Sequence, residues 1–149
     1  MWTKDHNVQK IHFHTCTGYS RLIMKSVWNH PETERIVESV MRTHRKFCAS
    51  AGPGAVFDVV IYCTSGCHRS VAVALLLEQL FPCVPLAYQD MDNKVSVQIK
   101  HRSQESGLWK QNRYCGQKCT NCKESAFKSH WMKTEMVKVA EKIGNSIFQ

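Results

Sequence analysis

At 149 residues the chain is sized for one ordinary domain, and a hydrophobic content of 43% excludes a disordered polymer. Lys and Arg outnumber Asp and Glu by 20 to 12, leaving a formal charge of +8 that favours anionic partners: nucleic acid, nucleotides or phosphorylated metabolites. The longest apolar stretch, Val71 to Leu77, is far below the ~20 residues of a membrane span.

The start, "MWTKDHNVQK", has no apolar signal core, so an intracellular, cytoplasmic setting is the expectation. There the eight cysteines are core residues, metal ligands or reactive thiols rather than a disulfide framework. Residues 8–15, "VQKIHFHT", alternate in polarity as a strand does. His12 and His14 then share one face, which is an exposed polar face or, less favoured, a metal site. "RLIMKSVW", residues 21–28, reads as strand or loop. A helix is predicted over "NHPETERIVESVMRTHRKFCAS", residues 29–50. Asn29 or His30 caps it, Pro31 suits its first turn, and Glu32 and Glu34 complement its positive end. Ile36, Val40, Phe47 and Cys48 are its expected apolar face.

"SAGPGA" breaks the chain, and "VFDVVIY", residues 56–62, follows as a short buried strand. After the turn comes a helix over Ser70 to Phe81, apolar nearly all round and ended by Pro82 and Pro85. "KVSVQI", residues 94–99, alternates as another strand. Strand, helix and strand would make a right-handed crossover with a parallel sheet. Beyond His101 the chain turns polar and carries clustered cysteines. A last helix is expected from about Ser125 to Ile147, with Phe127, Trp131, Val139, Ile143 and Ile147 as its stripe. The predicted fold is α/β: a small parallel or mixed sheet with flanking helices, Rossmann-like and three-layered. Residues 1–102 form the anion-binding part, and residues 103–149 a Cys-containing helical extension packed on the same domain.

The turn "CTSGCHRS", residues 63–70, joins an apolar run to a helix start. The first amides of a helix have no acceptor within it, and the dipole adds positive charge there. Thr64, Ser65 and Gly66 are small, and Gly66 tolerates a positive φ. Thr64, Ser65 and Ser70 bring hydroxyls, and Arg69 brings a planar fork suited to two oxyanion oxygens. His68 adds charge when protonated. The alternative is an ordinary turn with a surface arginine and core cysteines.

Two resemblances attach to this turn. The spacing of Cys63, Gly66, Arg69 and Ser70 is similar to that of cysteine-dependent phosphatases, in which the thiolate attacks phosphorus. Tyr62 stands where tyrosine phosphatases commonly place histidine, and Val71 where glycine is common; Asp5 and Asp58 are the only upstream aspartates. More closely, "CTSGCHRSVAVA" resembles the signature of the C-terminal domain of RapZ, the bacterial RNase adapter family. Cys63, Thr64, Gly66, His68, Arg69, Ser70 and Val71 match it, with Ser65 in place of the usual glycine. "VSVQIKHR" resembles a second element of that family, an alternating strand ending in His-Arg, here His101 and Arg102. The resemblance spans residues 8–102. It implies an anion-binding α/β domain whose ligands are RNA or phosphorylated sugars, with His101 and Arg102 facing the anion from a neighbouring strand end.

"CGQKCTNC" supplies Cys115, Cys119 and Cys122, three ligands toward a tetrahedral structural zinc; His130 is the nearest candidate for the fourth. Free or packed cysteines are the alternative. Trp109, Tyr114 and Trp131 interleave with Lys110, Arg113 and Lys133, a pattern suited to base stacking or to core packing. The function expected is a binding module that holds a phosphate group of RNA, nucleotide or phosphosugar. A cysteine phosphatase with Cys63 as nucleophile and Arg69 as clamp is the alternative. The sequence leaves the oligomeric state open.

Overall fold

The computed structural model describes residues 16–64, 66–83, 96–105 and 107, together with 134, 137, 138, 141 and 142. Among the described residues four helices have defined bounds: α1, Arg21–Trp28; α2, Pro31–Ser50; α3, Arg69–Cys83; and the single turn α4, Arg102–Glu105. Among the described residues there is no strand, so the α/β Rossmann-like sheet expected from the sequence is not the architecture. The described part is an assembly of helices around α3.

The centre of that assembly is the helix the sequence marked as apolar all round. Val71, Ala72, Val73, Leu75, Leu76, Leu77, Leu80 and Phe81 are all buried. α3 starts one residue earlier than expected, at Arg69, and runs to Cys83, one residue past Pro82. α1 lies along it. "RLIMKSVW" is helix rather than strand or loop, because Ile23, Met24, Val27 and Trp28 fall on one face and all bury. The Trp28 Nε1–H donates to the carbonyl of Ala72 at 3.1 Å, so the indole satisfies its polar edge while its rings enter the core. Asn29 closes α1, its side-chain amide donating to the Lys25 carbonyl at 2.9 Å.

α2 begins as predicted. His30 is its cap, Nδ1 accepting from the Glu32 amide at 3.2 Å, with Pro31 at the first position. Its buried face is not the one expected. Thr33, Val37, Met41 and His44 go inward, whereas Ile36 is 39% exposed and Val40, Phe47 and Cys48 are half-buried. Two polar residues occupy that inner face, Thr33 with a hydrogen-bond partner in α1 and His44 with the Cys48 sulfur 3.4 Å from its Nε2. The Thr33 hydroxyl donates to the Val27 carbonyl at 2.5 Å. The His44 ring packs edge-on against Phe81, centroids 4.9 Å apart, and against Phe57 at 5.2 Å.

Of the three expected strands, the two that reach the described residues take no ladder there. Residues 55–63 take no helix or strand, and the buried strand predicted over residues 56–62 is largely exposed: Val56 by 75%, Val60 by 86% and Tyr62 by 88%. β-branched composition favours extended backbone, but a strand also needs a paired neighbour, and none is present among the described residues. Residues 96–100 do alternate between exposed and half-buried, with Val97 and Ile99 against the core. This is the period expected of a strand, realised here without sheet pairing among the described residues, so the predicted crossover unit does not form there. Residues 8–15 and the cysteine cluster lie outside the described residues. Of the last expected helix, 134, 137, 138, 141 and 142 are helical, and Lys142 pairs with Glu34 of α2. No helix among the described residues is long and apolar enough to cross a membrane.

Candidate anion site at the start of α3

The approach to α3 is a tight turn held by its own backbone. The Gly66 amide donates to the Cys63 carbonyl at 3.0 Å, and Gly66 adopts φ 65°, the left-handed conformation that glycine takes without a Cβ penalty. The first intrahelical bond runs from the Ala72 amide to the His68 carbonyl at 2.9 Å. The amides of Arg69, Ser70 and Val71 therefore have no acceptor within the helix, and the dipole's positive end lies at this point.

Two distant segments brace the turn. The Gly18 amide donates to the Cys67 carbonyl at 2.7 Å. An added Cβ at Gly18 would lie 2.3 Å from the His68 carbonyl oxygen and 2.6 Å from the Ala72 nitrogen, so only glycine lets the two backbones approach this closely. On the other side the Ser103 hydroxyl donates to the Gly66 carbonyl, which ties the start of α4 to the turn.

Beside the turn is a cavity of about 330 Å³ lined by Ile36, Ile61, Tyr62, Cys63, Thr64, Arg69, Ser70 and Val73. Arg69, Ser70 and Val73 share one face of α3, being separated by one and then three residues. Of the lining, Ser70 and Val73 are buried, while Tyr62 and Thr64 are exposed. The Cys63 thiol lies 3.2 Å from the Ser70 hydroxyl on this wall.

Four residues singled out in the sequence, Cys63, Thr64, Arg69 and Ser70, thus meet around one space. Others are placed elsewhere. His68 is buried, with Nε2 3.6 Å from the Cys67 sulfur, and is not in the lining. Gly66 shapes the turn without lining the cavity. Ser65 lies outside the described residues. His101 is half-buried and set edge-on to Tyr19, ring centroids 5.7 Å apart. Burial holds its imidazole below the ordinary histidine pKa, which disfavours the charged form. Arg102 is exposed, adjacent in sequence to the bracing Ser103. Asp58, the nearer upstream aspartate, is exposed and outside the lining.

The sequence did not point to Gly18 or Ser103 as neighbours of the turn, nor to Ile36, Ile61 and Val73 as cavity walls. Gly18, Ser103 and Ile36 arrive from segments far away in the chain, for which no local spacing is a signal. Cys115, Cys119, Cys122 and His130 lie outside the described residues, as do His12 and His14. Among the described residues no three His, Cys, Asp or Glu side chains converge as a metal site. Comparisons with family models, with curated proteins and with solved structures found no match for this chain.

Proposed function

We propose that the chain is a phosphate-binding module, holding a phosphate group of RNA, a nucleotide or a phosphosugar at the start of α3, as its resemblance to the RapZ C-terminal domain implies. The observation that carries this reading is the cavity whose wall combines Thr64, Arg69 and Ser70 at the positive end of a 15-residue helix. A guanidinium supplies charge-assisted hydrogen bonds, the hydroxyls supply neutral donors, and the helix start adds oriented amides. The chain's +8 charge draws anions toward it, and a polyanion such as RNA would gain further from the scattered lysines and arginines. Titration calorimetry with inorganic phosphate tests the reading: the wild type binds, and Arg69→Ala loses most of that affinity. Equal binding by both proteins removes Arg69 from the site and overturns it.

The Cys63–Ser70 contact favours a second reading, a cysteine phosphatase. Ser70 is placed to donate to a Cys63 thiolate and so to favour the charged sulfur. The thiolate would attack phosphorus, forming an S–P bond as the ester P–O bond breaks. The departing oxygen would take a proton, and water would then release phosphate and restore the thiol. Asp58 stands outside the cavity, so the binding module is preferred. Hydrolysis of an aryl phosphate that is abolished in Cys63→Ser would establish the phosphatase instead.

A further inference from the structure

The same cavity is not lined as a site for a bare anion or a polyol would be. Half its lining is apolar: Ile36 from α2, Ile61 and Tyr62 from the extended segment, and Val73 from α3. Its volume of about 330 Å³ is far more than a phosphoryl group needs. Polar and apolar groups share this wall. Ser70 is buried beside Cys63 at the first turn of α3, while Tyr62 is 88% exposed. An exposed tyrosine next to an apolar wall offers a ring face on which a flat group can stack.

Resting on the phosphate-binding reading, we infer that the preferred ligand is a phosphate monoester carrying a flat apolar ring. The phosphoryl group lies at Arg69, Ser70 and Thr64, and the ring lies between Tyr62 and the aliphatic wall of Ile36 and Ile61. A sugar hydroxyl placed against that wall would exchange hydrogen bonds to water for contact with isoleucine, which is unfavourable. The wall thus discriminates among anions that the arginine alone would accept equally.

The test compares two phosphonates, whose C–P bond resists hydrolysis, with two phosphate monoesters, by calorimetry on the intact chain. Phenylphosphonate and methylphosphonate differ only in the ring, glucose 6-phosphate offers a polyol, and adenosine 5′-monophosphate offers a ring borne on ribose. The inference expects phenylphosphonate or adenosine 5′-monophosphate to bind at least about tenfold tighter than methylphosphonate and glucose 6-phosphate. Which of the two leads tells whether the ring is attached directly or through a sugar. Tyr62→Ala, a change at an exposed position that should leave folding intact, is expected to bring the affinity for the ring compound down to near that for methylphosphonate. If methylphosphonate or glucose 6-phosphate binds as well as both ring compounds, and Arg69→Ala still abolishes that binding, the ring preference is wrong and the phosphate site stands. If none of the four binds, both fall. An advantage for the ring that persists in Tyr62→Ala also overturns the inference, because the stacking surface would then lie elsewhere.

Discussion

The Cys63 thiol and the Ser70 hydroxyl meet at 3.2 Å across the mouth of α3, joining the end of an extended segment to the first turn of a buried helix. The contact makes Cys63 a reporter for the cavity. Inorganic phosphate bound at Thr64, Arg69 and Ser70 should slow alkylation of Cys63 by iodoacetamide in proportion to occupancy. Mass spectrometry of the modified peptide reads this directly. Cys48, remote from the lining, is the internal control, and its rate should not respond to phosphate. Equal rates for Cys63 with and without phosphate would contradict the placement.

Gly18 should tolerate no side chain. A methyl group there meets backbone atoms of His68 and Ala72, which cannot rotate aside as a side chain would. Gly18→Ala is expected to lose about 3 kcal/mol of stability, at the upper end of what overpacking costs. Urea denaturation measures it. A variant as stable as the parent would show that residues 16–20 do not lie against the start of α3.

Trp28 tests the pairing of α1 with α3. Trp28→Phe retains an aromatic ring but removes the donor that bonds the Ala72 carbonyl. The expected loss is about 1–2 kcal/mol, the value of one buried hydrogen bond plus some lost packing. A neutral outcome in the same denaturation experiment would place the indole outside the core.

Burial lowers the pKa of both His44 and His101 below the ordinary histidine value of about 6.5. A depressed folded-state pKa means that the unfolded chain binds protons which the folded chain refuses. Stability from these groups is therefore full above about pH 6.5, and falls as pH drops from there through their folded-state values. Thermal melts across pH 5–8 should show a midpoint that declines below about 6.5, and His44→Gln should flatten part of the decline. A midpoint that rises on acidification would mean these rings gain a proton on folding.

Much of this could be read locally, and what could not has a common cause. The turn, the helix that follows it and the positive φ of Gly66 are consequences of a few adjacent residues, and the structure has them. His30 and Pro31 likewise mark the start of α2 from sequence alone. The buried face of α2 was misjudged because Thr33 and His44 look like surface residues until the Val27 carbonyl and the Phe57 and Phe81 rings are in place. α1 was ambiguous because eight residues barely display a helical period, and its burial is decided by α3. The sheet failed for the same reason in reverse. "VFDVVIY" has the composition of a strand, but composition provides no partner for its amides, and the described residues leave Val56, Val60 and Tyr62 exposed. The polar half of the cavity's lining is visible as a motif, while its apolar wall depends on Ile36 arriving from another helix.

The most direct measurement is the position of a heavy oxyanion in crystals soaked with tungstate, located by its anomalous signal. The account predicts a peak in the cavity, within hydrogen-bonding distance of Arg69 and of the Thr64 or Ser70 hydroxyl, and its disappearance in Arg69→Ala crystals. Tungstate that binds only elsewhere, with this cavity empty at saturating concentration, would contradict it.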